Sequence, residues 1–165
     1  MSLRTLQDLY VQQLEELYNG EKHSLQVMPR LAGAAADPDL AVAFDDDVAM
    51  TRSHVQSLEV IFDQMNIVPQ TRESEGLEGL LGDCLEATAD DQADSHVRDA
   101  ALIAVAQHVK HDEIAGYGCA RAWAQTLGNA HARESLGTML DEEKDLDLRL
   151  TNIAENLNFQ ASIVS

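Results

Sequence analysis

The chain has 165 residues, and its 29 acidic against 11 basic side chains give a formal net charge of −18. Such a surface repels phosphate backbones, so direct nucleic-acid binding is excluded as a first function. The length suits one domain, 1–165, with a sizeable core, and 9 Gly, 3 Pro and 4% aromatics beside abundant Ala, Leu, Glu, Asp and Gln favour an all-α class. No stretch of 18 apolar residues is present, and Met1–Tyr10 has no basic segment leading into an apolar run. A cytoplasmic protein with no membrane partner is therefore expected.

Asp (16) outnumbers Glu (13), and Lys occurs only at Lys22, Lys110 and Lys144. A halophile's cytoplasm, where salt screens self-repulsion, suits this pattern; an ordinary acidic bacterial protein is the other reading. Cys84 and Cys119 are far apart and lack zinc-ligand spacing, so both are expected to be buried, reduced thiols.

Helix one is expected over Ser2 to Ala35, where Leu14, Leu17, Leu25 and Met28 recur at helical spacing and Pro29 should kink the helix without ending it. Asp37-Pro38 reads as a cap followed by proline at the first helical position. It opens helix two, which reaches about Met65 with Phe44, Val48, Val55, Leu58 and Phe62 inward. Asn66 to Glu73 is a connection, Ser74 to Thr88 a shorter helix and Ala89 to Asp94 a polar loop. Ser95 is expected to cap a helix from His96 to Leu127, closed by Gly128 in the left-handed conformation. Asn129 caps the last helix, Ala130 to about Leu157, and 158–165 reads as a frayed tail. Two long helices, a long connection carrying a short helix, and two more long helices define a ferritin-like four-helix bundle.

Charged residues fall on the inward stripes. Glu21 lies four after Leu17 and four before Leu25, His54 three after Thr51 and four before Leu58, and Glu113 midway between Val109 and Tyr117. Glu143 follows Met139 and Leu140, and Asp147 precedes Leu150. Each lies near the middle of its helix, so antiparallel packing brings them to one height. Buried carboxylates repel one another and are costly unless a cation joins them. Oxygen and imidazole ligands in a bundle core suit iron or manganese, one or two ions. The competing reading pairs some of these residues with Arg or Lys, or turns them to solvent if the helical phase is off. His108, His111 and His23 point elsewhere, while His96 and His131 sit near helix starts. Asp45-Asp46-Asp47 reads as a solvated face with Asp47 near the inner stripe. Tyr18 and Tyr117 are the tyrosines best placed to line the site, with core packing as the default for each.

The segments LEELYNGEKHSLQVMPRLA, TRSHVQSLEVIFDQM, VRDAALIAVAQHVKHDEIAGYGCARAWAQTLG and LDEEKDLDLRLTNIAE resemble the YciF/YciE family of ferritin-like stress proteins over nearly the whole chain. The resemblance implies a homodimer of ferritin-like bundles with a dinuclear metal centre. Carried over, the family pattern gives Glu21, His54, Glu113, Glu143 and Asp147. The family commonly has a glutamate four residues before the helix-two histidine, where this chain has Met50. One metal position is then weakened, with Asp47 or a water as a substitute. Gly116 and Gly118, flanking Tyr117, are expected to allow close helix approach.

Two functions follow as expectations. In the first, a stress protein oxidises Fe(II) or handles O2 or peroxide, with Glu21 and Glu113 bridging two ions and His54, Glu143 and Asp147 as terminal ligands. In the second, a non-catalytic dimeric bundle keeps an incomplete or vestigial site.

Overall fold

A computed structural model of the chain describes residues 4–89 and 92–163 as five helices: α1 Leu6–Ala34, α2 Pro38–Gln64, α3 Glu75–Ala89, α4 Ser95–Thr126 and α5 Ala130–Ser162. The expected helical start at Ser2, the centre of the polar loop at 90–91 and the last two residues of the tail lie outside the described residues.

The helix ends follow local chemistry. Thr5 and Asp8 form a reciprocal capping box, the Thr5 hydroxyl accepting from Asp8 N at 3.0 Å and the Asp8 carboxylate accepting from Thr5 N at 3.0 Å. Asp37 caps α2 by accepting from Asp39 N and Leu40 N, with Pro38 in the first turn. Two expectations are corrected. Asp94, not Ser95, caps α4, because its carboxylate accepts from His96 N and Val97 N while Ser95 is already helical. The last helix does not fray after Leu157; it continues to Ser162, and Leu157, 4% exposed, anchors those turns in the core. Gly128 closes the α4–α5 turn at φ +76°, a conformation that favours glycine.

The buried positions of the long helices step by alternate threes and fours. On α1 they run Tyr10, Leu14, Leu17, Glu21, Ser24, Met28, Leu31, and on α4 Ile103, Ala106, Lys110, Glu113, Tyr117, Ala120, Ala124. This 3.5-residue repeat is the packing period of helical bundles. The apolar core divides into two clusters. One contains Met28, Leu31, Phe44, Ile103 and Leu150, the other Leu14, Leu58, Phe62, Ala120 and Met139. Between them lies a layer of polar residues contributed by all four long helices.

Chain direction follows from this division. α1 and α5 run from the second cluster to the first, and α2 and α4 run the opposite way. Thus α1/α2 and α4/α5 are antiparallel hairpins, and the connection from α2 to α4 must travel back along the bundle. That single long crossover is the ferritin-like topology. α3 lies in it and packs against α1 and α4 through Leu77, Leu81 and Cys84. Gly20 permits this contact, since a Cβ there would lie 2.3 Å from Leu77 Cδ2.

At Gly116 a Cβ would meet Leu17 Cδ2 at 2.9 Å, so α1 and α4 approach closely there. Gly118 faces open space and does not share that role. Cys84 is buried as expected, with burial pushing its thiol up to about 12. Cys119 is exposed rather than buried, because it lies off the inner stripe between Tyr117 and Ala120. Among the described residues no helix is long and apolar enough to cross a membrane.

Candidate metal centre

The polar layer takes Glu21 and Ser24 from α1, Asp47, Thr51 and His54 from α2, Lys110, Glu113 and Tyr117 from α4, and Glu143 from α5, each at most 2% exposed. Its two halves differ in chemistry.

In the first half, ligand atoms of Glu21, His54 and Glu143 all lie within 4.8 Å of one another. His54 Nδ1 is 3.2 Å from Glu21 Oε1 and 3.2 Å from Glu143 Oε1, while its Nε2 is 2.8 Å from Glu142 Oε2 at the edge of the bundle. One ring nitrogen thus faces two buried carboxylates and the other is held by an outer carboxylate. This is the relation by which metal-bound histidines are oriented. The Tyr117 hydroxyl donates a hydrogen bond to Glu21 Oε1. Burial and the neighbouring carboxylates keep that phenol protonated, raising it well above its ordinary range.

In the second half a lysine stands where the sequence pattern placed a ligand cluster. Lys110 Nζ, wholly buried, is 2.8 Å from Asp47 Oδ1, 2.7 Å from Glu113 Oε2 and 3.0 Å from Glu143 Oε2. The Lys110 ammonium donates a hydrogen bond to Asp47, and Glu113 and Glu143 are held to it as ion pairs. The other Glu113 oxygen accepts a long bond, 3.4 Å, from the Ser24 hydroxyl.

Electrostatics separates the carboxylates further. Burial pushes Asp47 up, an effect that Lys110 only partly offsets. Glu113 is raised well above its usual range by burial together with the charges of Glu143 and Glu21. Burial opposes ionisation of Glu143 too, but Lys110 and His54 on its two oxygens outweigh it and hold it low. His54 would be depressed by burial alone; hydrogen bonds and charge from Glu143 and Glu21 bring it up to about 10.

The structure brings Glu21, His54, Glu113 and Glu143 into one layer but places Asp147 outside it. The Asp147 carboxylate accepts from Gln107 Nε2 at 3.1 Å and lies 3.3 Å from His111 Nε2 at the α4/α5 surface. The reason is helical phase: at about 100° per residue, Asp147 falls roughly 40° to one side of Glu143, while the buried Leu146 and Leu150 fall on the other. Asp47, read as part of a solvated run, is instead 1% exposed and engaged by Lys110. Asp45 and Asp46 do face solvent. Met50 is half-buried and borders a surface groove with Asp46 and Glu142.

His108, His111 and His131 are exposed, and His23 is paired with Glu78 at 2.7 Å outside the layer. Tyr18 is turned away from the site and bonds Glu59, leaving Tyr117 as the tyrosine that lines it. The residue that sequence reasoning missed is Lys110. Its signal was available: Lys110 follows Ala106 by four and precedes Glu113 by three on the inner repeat of α4.

The donor set fits one ion and not two. Glu21 Oε2 is buried without a hydrogen-bond donor, Glu21 Oε1 and Glu143 Oε1 flank His54 Nδ1 at 3.2 Å each, and Glu143 Oε2 faces Lys110. That leaves carboxylate oxygens and an imidazole nitrogen converging on one position, a hard oxygen and nitrogen set that fits a single divalent cation. A second cation does not fit, since the carboxylates that would bind it already surround the Lys110 ammonium. Four carboxyl groups, those of Glu21, Asp47, Glu113 and Glu143, face two cationic side chains, so the ionised layer has two negative charges in surplus. A divalent ion that displaces the His54 proton lowers that surplus to one, which a proton on Glu113, raised by burial, offsets. A cleft of about 220 Å³ between α1 and α4, lined by Glu16, Leu17, Asp112 and Gly116, reaches Glu21 and Glu113 from the surface.

Fold and layer together define a ferritin-like helical bundle with a buried carboxylate/histidine centre. The chain belongs to the family described as domain of unknown function DUF892, whose model matches residues 5–162. It is 32% identical over 157 residues to Protein YciF of Escherichia coli (strain K12), covering 94% of each chain. The crystal structure of the E. coli stress protein YciF superimposes with a TM-score of 0.89 at 31% identity, over 94% of this chain and 98% of that one. YcfI of Rhodopseudomonas palustris, described as a candidate structural protein, gives a TM-score of 0.84 at 32% identity, over 91% and 95% of the two chains.

Proposed function

We propose that this protein binds a single iron or manganese ion in its core, through Glu21, His54 and Glu143, as a stress-response protein of the YciF type. The observation that carries the reading is the convergence of these three side chains within 4.8 Å, with Glu21 Oε2 left without a hydrogen-bond donor. The description of the E. coli relative as a stress protein supports the context. A bound iron would supply one-electron redox chemistry and a Lewis acid toward O2 or peroxide. The chain's own residues do the rest. Glu142 holds the far nitrogen of His54, the Tyr117 hydroxyl holds Glu21, and the two apolar clusters bound the layer above and below. The cleft lined by Glu16 and Asp112 offers an acidic approach for a cation.

A second reading, a structural bundle that needs no metal, is favoured by Lys110, which already neutralises part of the layer. Titration with Mn(II), or with Fe(II) under anaerobic conditions, separates the two. Metal binding predicts one ion per chain, no measurable binding by Glu143→Gln, and roughly 10–100-fold weaker binding by Glu142→Gln, which loses only the outer partner. Wild-type protein that takes up neither metal would leave the structural bundle as the function. Fe(II) oxidation by peroxide in the loaded wild type, absent from Glu143→Gln, would add an enzymatic role.

A further inference from the structure

We propose that Lys110 is a built-in second cation of this centre: its ammonium takes the place and charge of a second metal ion and fixes the site at one ion per chain. The inference rests on the one-ion reading above.

Three observations carry it. The Lys110 nitrogen is wholly buried and lies 2.7–3.0 Å from carboxylates of three helices, Asp47 on α2, Glu113 on its own α4 and Glu143 on α5. Carboxylate oxygens bind divalent first-row ions at about 2.0–2.2 Å, so an ion shared by the same oxygens would overlap the ammonium. Glu143 meanwhile spans the two halves of the layer. Its Oε1 faces His54 Nδ1 at 3.2 Å and its Oε2 faces Lys110 at 3.0 Å, as a carboxylate bridging two cations would. Finally, Lys110 occupies an inner position of the α4 repeat in a chain with only three lysines, the other two of which, Lys22 and Lys144, are exposed. An ammonium is a compact point charge with three donors on a flexible stem, suited to reach the centre of such a layer.

The lysine also acts where a metal cannot. It is covalently part of the chain, so charge compensation for Asp47 and Glu113 is present before any ion arrives. The fold is therefore expected to form without metal, and metal loading becomes a separate event in the His54 half.

The test is the stoichiometry of Mn(II) bound at equilibrium, with electron paramagnetic resonance reporting whether the ions are isolated or coupled. Wild-type protein is expected to bind one Mn(II) with the signal of an isolated ion. Lys110→Ala, which vacates the position while keeping all four carboxylates, is expected to bind two with a spin-coupled signal. Lys110→Met, which fills the space without charge, is expected to stay at one. Where Lys110→Ala fails to fold without metal, purification in Mn(II) and the Lys110→Ser variant give the same count. Two ions in the wild type, or one ion in folded Lys110→Ala and Lys110→Ser, would overturn the proposal while leaving Glu21, His54 and Glu143 as ligands. No ion in the wild type would overturn the underlying one-ion reading and this proposal with it.

Discussion

Lys110→Met is expected to lower the unfolding free energy of the metal-free protein by about 3–5 kcal/mol at pH 7, the range for breaking a buried ion pair by removing one partner. The substitution keeps most of the side-chain volume, so cavity formation contributes little. What changes is charge: Asp47, Glu113 and Glu143 lose their shared ammonium and are left to repel one another in a buried layer. Asp47 and Glu113 are already raised by burial and will take up protons more readily once Lys110 is gone. A carboxyl group with a raised folded pKa destabilises when ionised, so the variant's deficit shrinks as pH falls through that pKa. Urea unfolding at pH 7 and pH 5, followed by circular dichroism and Trp123 fluorescence, measures both effects. Adding Asp47→Asn and Glu113→Gln to Lys110→Met should recover much of the loss. A deficit under about 1 kcal/mol at pH 7 would mean that the lysine is not holding the layer together.

The second large effect concerns His54, which competes between a proton and a metal. With its pKa brought up to about 10 by Glu143 and Glu21 against the opposing effect of burial, the metal-free protein holds an imidazolium at neutral pH. The sign for stability follows from that direction. The contribution of charged His54 is complete below its unfolded value of about 6.5 and is lost as pH rises through about 10. Metal binding has the opposite dependence, because coordination by Nδ1 requires the neutral ring. Binding of Mn(II) at pH 7 is therefore expected to release about one proton, and affinity to rise roughly tenfold per pH unit between pH 6 and pH 9. Calorimetry in buffers of different ionisation enthalpy counts the proton directly. A flat affinity profile with no proton release would contradict His54 as a ligand. In His54→Gln the residual affinity should lose this slope.

Much of this arrangement was legible in the chain because the bundle repeats with a period that sequence displays. Glu21, His54, Glu113 and Glu143 all lie on apolar stripes, and the long connection between helices two and three marked the topology. The repeat locates a residue only to within a fraction of a turn, however. Asp147 sits at the edge of its stripe and turns to Gln107 and His111, and Asp47 sits at the centre of its own although its two acidic neighbours face water.

Lys110 was hidden for a different reason. A lysine on an amphipathic helix ordinarily extends its charge to solvent, so its type argued against the inner position its spacing indicated. Only the packed helices reveal the carboxylates of Asp47 on α2 and Glu143 on α5 that join Glu113 around it. The continuation of α5 to Ser162 likewise depends on a tertiary contact, the burial of Leu157, that local sequence does not express.

The proposed centre would hold one metal ion and one lysine side by side. Anomalous scattering from crystals soaked in Mn(II) tests that most directly. The expected result is a single peak per chain between Glu21, His54 Nδ1 and Glu143, with Lys110 Nζ still seated among Asp47, Glu113 and Glu143. A second peak beside Asp47 and Glu113 with Lys110 displaced, or no peak in the layer at all, would contradict it.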